Sequence, residues 1–421
     1  MDKTENYEIR NIKLAEQGRK NIAWAEAQMG ALIKIRERFE QELPLEGIRI
    51  GIALHPTKET AALVRTLKAG GADVAVCACN PLSTQDDVAA ALAEEGYKIW
   101  AYKGETKEDY YRFLNNVIKT KPHYTLDDGC DLISEIHSRH QELIKGIIAG
   151  AEETTTGVIR LKAMEKDRAL KYPVIAVNSL KTKHLFDNFL GTGQSTIDGI
   201  LRASSILIAG KTFVVCGYGQ CGKGVAARAQ GMGANVIVCE VDAVKALQAL
   251  HDGCRVMPIA EAAKLGDIFV TVTGNKHVIR REHIESMKEG AILANSGHFD
   301  LEIDVEGLGK LSRHKEKIRD SLDRYSLNNG KNIYLVGEGR LCNLAAAEGH
   351  PSVVMAQSFC GQALAAEYAV KNKDKLAAKV ISLPDEIDNE IAELQLQALG
   401  TKKDILTKEQ ELYLDSWQEG T

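Results

Sequence analysis

The sequence predicts an α/β protein with two doubly wound parallel-sheet domains joined by a hinge, plus a small helical C-terminal segment. Three observations predict it. Apolar strand-like runs alternate with amphipathic helical runs between residues 48 and 140. That alternation packs as a parallel sheet with helices on both faces. A second alternation begins at Thr212, and its first strand and helix are joined by Gly217-Tyr-Gly-Gln-Cys-Gly222. That run is a GxGxxG turn in the position where a βαβ unit receives a dinucleotide.

The elements follow in order. Ile12, Ala15, Ile22, Ala25, Met29, Leu32, Ile35 and Phe39 recur at helical spacing, which predicts one or two amphipathic helices over 11–42. Strands are expected at 48–54, 73–79, 98–102 and 123–126. Helices are expected at 59–68, 86–95, 107–119 and 131–140. A connection over 182–209 carries Gly191 and Gly193 and a helix from 196 to 207. The second block predicts strands at 212–216, 236–239, 255–258, 268–273, 291–295 and 333–336. Helices close the chain at 353–370, 385–399 and 408–417.

Composition narrows the function. A net charge of −5 with no basic block argues against nucleic acid as a partner. No apolar run approaches the ~20 residues that span a bilayer, and the polar N-terminus does not read as a signal peptide. A cytoplasmic enzyme is expected. Nine cysteines form no paired C-x-x-C motif. Buried, reduced thiols are expected, with no metal site.

Each part of the glycine turn has a physical reason. Gly217 permits the tight turn, Gly219 lets backbone approach a pyrophosphate, and Gly222 lets helix and strand pack closely. The helix N-terminus at Gln220 and Cys221 offers free N–H groups and a positive dipole end. The second strand ends in Glu240, which accepts from a ribose 2′-OH and repels a 2′-phosphate. NAD is therefore expected over NADP.

Ligands of such folds sit at the carboxyl ends of the strands. Polar residues just past the expected strand ends are His55, Thr57 and Glu59, then Asn80 with Ser83 to Asp86, Asp127 with Asp128, and Asn178 with Lys183. The second block adds Glu240, Asn275, His298, and Glu338 with Asn343. Any one alone reads as a cap or a solvated group. Together they suggest acid–base chemistry beside a hydride carrier.

Nine segments make the pattern recognisable. They are 54–60 (LHPTKET), 80–86 (NPLSTQD), 126–129 (LDDG), 152–157 (EETTTG), 183–188 (KHLFDN), 217–224, 295–300 (NSGHFD), Glu338-Gly-Arg340 with Asn343, and Gly349-His-Pro351. The chain resembles the S-adenosylhomocysteine hydrolases over nearly its whole length. The resemblance implies catalytic NAD that oxidises the ribose 3′-OH and is regenerated within the cycle. It implies Lys183 at the 3′-OH, Asp128 as the base for the C4′ proton, and His55 at the C5′ end. Glu153 and Asp187 would orient the ribose hydroxyls, and Asn188 would lie near the nicotinamide. Thr154, Thr155 and Thr156 would contact the cofactor from the other domain, which requires domain closure. Asn275, Ser296, Gly297, His298, Asn343, His350 and Lys245 would also contact it. His298 and Phe299 would border the cleft entrance, and His350 would lie on the homocysteine side.

The resemblance also implies domains of 1–185 with 350–384 for substrate and 186–349 for NAD, with 385–421 for oligomerisation. A homotetramer is favoured. Thr57 and Glu59 match the adenine-recognising positions, so the adenosyl thioether is expected over the inosyl one. A carboxylate accepts from a 6-amino group and repels a 6-oxo group. Glu59 capping a first helical turn is the plainer alternative. The sequence ends at Thr421 without the Lys- and Tyr-bearing tail of many relatives, so a short form is expected. Lys245 stands where Asn is common and would weaken the preference for NAD over NADP. Thr192 stands where a cysteine is often found.

Overall fold

A computed structural model describes residues 1–418. Residues 419–421 of the expected C-terminal segment lie outside the described residues. The first sheet has nine strands, in the order Asp2–Lys3, Tyr7–Ile9, Lys98–Trp100, Asp73–Ala78, Arg49–Leu54, Tyr124–Asp127, Ala149–Glu152, Val174–Ala176 and Val380–Ile381. Only its first pair is antiparallel. The second has eight, in the order Arg255–Val256, Asn235–Cys239, Thr212–Cys216, Ile268–Thr271, Ile292–Asn295, Asn332–Val336, Leu322–Leu327 and Ser312–Arg319. Its first six strands are parallel and its last two antiparallel.

In each sheet the chain lays successive strands outward on one side, then crosses back. The reversal falls between Arg49–Leu54 and Tyr124–Asp127 in the first sheet, and between Thr212–Cys216 and Ile268–Thr271 in the second. Such switch points open a crevice because the flanking connections leave in opposite directions. His55 and Asp128 follow the first pair directly, and Gly217 opens the second.

Two large cores hold these edges in place. Ile52, Leu54, Val76 and Leu126 pack with Phe359, Ala363 and Leu364 of the 20-residue helix Ser352–Lys371. That helix follows the second block in the chain yet covers the first sheet. Val215, Val225, Ala226 and Ile268 form the second core. Each fully buried Leu, Ile or Phe contributes about 1.5–3 kcal/mol. The N-terminal run forms two helices, Ala15–Glu26 and Gly30–Glu42, on the first core. All nine cysteines are free. Among the described residues, no helix is long and apolar enough to cross a membrane.

The structure departs from the sequence expectations in specific places. The strand expected at 268–273 stops at Thr271, because the Thr273 and Gly274 N–H groups turn to the Glu302 carboxylate. The strand expected at 98–102 stops at Trp100, where the Tyr102 N–H turns to Glu105. The strand Ala149–Glu152 and helix Thr155–Lys166 were not expected. Ala-Gly-Ala-Glu has little intrinsic strand preference. The hairpin of Ser312–Arg319 and Leu322–Leu327 was also missed. Its outer strand is charged and exposed on both faces, so no period-2 signal marks it.

The connection expected to be helical only from residue 196 is helical from Lys181. It passes through a π-helical stretch, His184–Gly191, into Thr192–Ser204. Its glycines serve close approach inside a helix. A Cβ on Gly193 would lie 2.6 Å from the Gly224 carbonyl oxygen, and one on Gly224 would run into the Phe189 carbonyl. π-Helical turns of this kind occur often at functional sites. This one carries Asp187 and Asn188 on its inner side, both buried.

Candidate active site

The two switch points open into one cavity of about 1390 Å³. Of the residues expected to contact substrate or cofactor, all but Gly222 and Phe299 line it. Gly222 sits behind the wall. A Cβ there would collide with the Gly217 carbonyl, which explains why the helix Gln220–Gly231 packs so closely on the turn. Asn80, Asp127 and Glu338 do not line the cavity. Asn80 accepts from the Leu82 N–H, and Glu338 is exposed at φ +57°.

Asp128 lies at the centre of the first-sheet edge. Its Oδ2 is 3.2 Å from His55 Nε2, and its Oδ1 is 3.4 Å from His298 Nδ1. One ligand-capable atom from each of these three residues falls within 4.8 Å of the other two. His298 comes from the other sheet. It fits because Gly129 has no side chain; a Cβ there would strike the imidazole. Burial works against charge on Asp128. His298, His55 and Lys183 outweigh it and hold the carboxyl well below the usual carboxylate range. Burial pushes His298 down, and Asp128 opposes that only in part. Asp128 is therefore held as an anion at neutral pH. His55 Nδ1 is fixed by Ser83 Oγ at 2.7 Å, which leaves Nε2 toward Asp128.

Lys183 is caged on three sides. Its Nζ donates to Asn188 Oδ1 at 2.8 Å and to Asn178 Oδ1 at 3.3 Å. Asp187 Oδ1 is 3.4 Å away and Glu153 Oε1 3.5 Å. Burial disfavours the ammonium, but Asp187, Glu153 and Asp128 outweigh burial and raise its pKa above the ordinary lysine value. Asp187 in turn faces His350 Nδ1 at 3.2 Å. Burial opposes its charge, yet Lys183 and His350 bring its carboxyl down to about 2. Glu153 goes the other way, raised by burial, and is gripped by Ser358 and Gln362 from the helix Ser352–Lys371.

The second-sheet edge works with backbone. Gly217 has φ +107°, the left-handed region that the turn requires. A Cβ on Gly219 would meet nothing within 4 Å, so this backbone is open to a ligand. Glu240 accepts the Tyr218 N–H at 2.7 Å and those of Val241 and Asp242 at 2.7 and 2.9 Å. Lys245 turns to Asp242, 3.9 Å away. Asn275 stands in the loop pinned by Glu302. Asn343 donates to Ser195 Oγ and His350 Nε2, and its buried Oδ1 has no partner. Ser296 is fixed by Thr196 at 2.7 Å.

At the far end of the cavity, Thr57 is the N-cap of the helix Lys58–Ala69. Glu59 stands in its first turn, 2 % exposed, and accepts from Ser352 Oγ at 2.6 Å. Glu59 lines the cavity, whereas the neighbouring Lys58 does not. Thr154, Thr155 and Thr156 line it from the first sheet, and Thr156 Oγ1 lies 3.0 Å from where a Gly274 Cβ would be.

Several supporting residues carry little local sequence signal for the site. Glu302 shapes the 273–275 loop. Asn295 donates to the carbonyls of Gly297, Phe299 and Gly339, folding the loop that carries His298. Ser358 and Gln362 are polar residues spaced i, i+4 in the buried middle of a largely apolar helix. That spacing was the available signal, since buried polar groups need partners.

Comparison with known proteins agrees with this arrangement. A profile described as S-adenosyl-L-homocysteine hydrolase matches residues 6–145, and its NAD binding domain matches residues 188–349. Adenosylhomocysteinase of Sulfolobus acidocaldarius is 57% identical over 416 residues, covering 99% of this chain and 100% of that protein. Adenosylhomocysteinase of Aquifex aeolicus is 58% identical with the same coverage. S-inosyl-L-homocysteine hydrolase of Methanocaldococcus jannaschii is 56% identical over 415 residues, again covering 99% and 100%. With both halves matched and more than half of all positions identical to these relatives, the chain belongs to the S-adenosyl-L-homocysteine hydrolase family.

Proposed function

We propose that this chain catalyses the reversible hydrolysis of S-adenosyl-L-homocysteine to adenosine and L-homocysteine, with one NAD per subunit as a resident catalyst. The observation that carries the reading is the single cavity joining a glycine-turn cleft to a buried acid–base cluster. A dehydrogenase that releases reduced cofactor needs only the first half. A sensing relative has no use for the caged Lys183 or the doubly flanked Asp128.

The residues present fit NAD. The open backbone at Gly219 suits a pyrophosphate, Glu240 suits a ribose diol, and the unpartnered Asn343 Oδ1 suits a carboxamide N–H. Held there, NAD would supply a hydride acceptor at C3′ of the substrate ribose and, in its reduced form, the donor that restores it.

The side chains do the rest. Lys183 moves the O3′ proton. Its acidic neighbours favour the ammonium form, so it must first give up its own proton, which a cation bound in the same cavity would favour. The C3′ ketone acidifies the C4′–H. Asp128, already ionised, takes that proton, and the electron pair expels the thiolate from C5′. His55 delivers a proton to sulfur and later activates the water that adds at C5′. Glu153 and Asp187 orient the ribose hydroxyls. A closed cleft keeps bulk water from the ketone.

Glu59 facing the cavity supports the adenosyl substrate. We assign residues 1–185 and 350–384 to substrate and 186–349 to NAD, with the C-terminal helices as contacts in a cytoplasmic homotetramer. Incubation with the adenosyl thioether and NAD tests the reading. Adenosine and homocysteine in equal amounts are expected, and neither product would overturn it. Faster release from the inosyl thioether would keep the mechanism and reassign the base pocket.

A further inference from the structure

Beneath Asp128 lies a carboxyl pair that the mechanism above does not use. Asp127 and Glu152 end adjacent parallel strands and stand opposite each other in register. Both are fully buried, at 0 % exposure. Each spends one oxygen on backbone. Asp127 Oδ2 accepts the Ile133 N–H at 2.8 Å, in the first turn of the helix Asp131–Arg139. Glu152 Oε1 accepts two, from Gly129 at 2.9 Å and Thr154 at 3.0 Å. One carboxylate oxygen thus ties together the loop that carries Asp128 and the loop that carries Glu153 and the threonines.

The second oxygens, Asp127 Oδ1 and Glu152 Oε2, are both buried without a partner. Space for Glu152 exists only because residue 157 is glycine; a Cβ there would overlap its carboxyl group. Two anions at this separation from water would repel each other, and two unsatisfied oxygens would each cost a lost hydrogen bond. A single proton removes both penalties, because a carboxylic O–H on one residue is a donor to the other.

We infer that Asp127 and Glu152 share one proton and act as a positioning pair that holds the Asp128–Gly129 and Glu153–Thr154 backbones at the reaction centre. The functional part of this rests on the role proposed for Asp128, whereas the proton itself does not. The shared proton keeps a second negative charge out from under Asp128, which stays free to ionise. The groups facing the pair are Asp128, Asp131 and Arg160, the thiols of Cys77, Cys79 and Cys130, and the phenols of Tyr110 and Tyr172. Only Arg160 is a cation among them, and it is already paired with Asp131 at 2.7 Å. Burial raises Asp127 to about 8 and lifts Glu152 well above the carboxylate range, in the direction the geometry requires.

Infrared difference spectroscopy of the full chain in H₂O and D₂O, near neutral pH, tests this directly. The wild type is expected to carry a deuterium-sensitive carbonyl stretch from a protonated buried carboxyl. Both Glu152→Gln and Asp127→Asn are expected to reduce that band by one carboxyl. An undiminished band in both variants overturns the inference, whether or not the protein turns over any substrate. Unfolding against pH is the second readout. A raised carboxyl stabilises fully below its unfolded pKa and is lost as pH rises through its folded value. The wild type should therefore lose stability through about pH 8 more steeply than Glu152→Gln. Equal slopes would contradict a shared proton. If one variant fails to fold, the other carries both measurements.

Discussion

The two strand-end edges facing the cavity are built on opposite principles. The first-sheet edge concentrates buried ionisable groups: Asp128 beside His55, with His298 reaching in from the second sheet, and Lys183 among Asp187 and Glu153. The second-sheet edge places glycines, backbone N–H groups and one carboxylate around open space. Proton transfer needs side chains whose charge state the environment sets. Holding a pyrophosphate needs fixed dipoles that stay the same through the cycle. One edge is therefore tuned by neighbours, the other by absence of side chains, and the two should fail differently when altered.

The largest failures are expected on the charged edge. Asp128→Asn and Lys183→Met should each lower kcat by roughly 10³–10⁴-fold while the purified protein still holds NAD. Wild-type-like turnover in either variant would break the division of labour. On the glycine edge the failure should be loss of cofactor. Gly222→Val drives a side chain into the Gly217 carbonyl. It should cost about 1–3 kcal/mol of stability by overpacking and abolish the rise in Tm that added NAD gives. A variant that still gains stability from NAD would mean that the turn is not the binding element.

Smaller effects sharpen the comparison. Glu59→Gln, whose amide donates to a 6-oxo group, should raise the inosyl-to-adenosyl ratio of kcat/KM by about tenfold. An unchanged ratio removes Glu59 from base recognition. Glu240→Gln should narrow the gap between NAD and NADP affinity by a few-fold, on the order of one lost charge repulsion. Titration of both cofactors reads it, and the same gap as wild type would move discrimination elsewhere, with Lys245 next to be tested. The smallest effect concerns acid stability. Asp187 is depressed in the fold, so it stabilises above the unfolded pKa of ~3.9, and that contribution is lost as pH falls toward about 2. Asp187→Asn should therefore show a shallower stability loss across that window. An identical slope would deny the ion pair with Lys183.

Much of this was legible in the sequence, for identifiable reasons. The glycine turn, the βα alternation and the strand-end residues are local patterns, and the cavity collects nearly all of them. The hidden parts depend on distant partners. Glu302 acts on Thr273, and Asn295 on Gly339, across separations that no local period encodes. The strand Ala149–Glu152 is written in small residues because Thr125 crowds it; a Cβ on Gly150 would strike the Thr125 hydroxyl. Asp127 reads as a twin of Asp128, yet alternation along the strand sends the two to opposite faces. One lines the cavity and the other is sealed beneath it.

The central claim is that the two edges cooperate in a cycle with no net redox change. It is tested by following thiol release and NADH absorbance together, with S-adenosyl-L-homocysteine in large excess over NAD-loaded protein. The account predicts continuous homocysteine release while NADH never exceeds one equivalent per subunit. NADH accumulating in step with substrate consumption, or substrate binding with no thiol released, would contradict it.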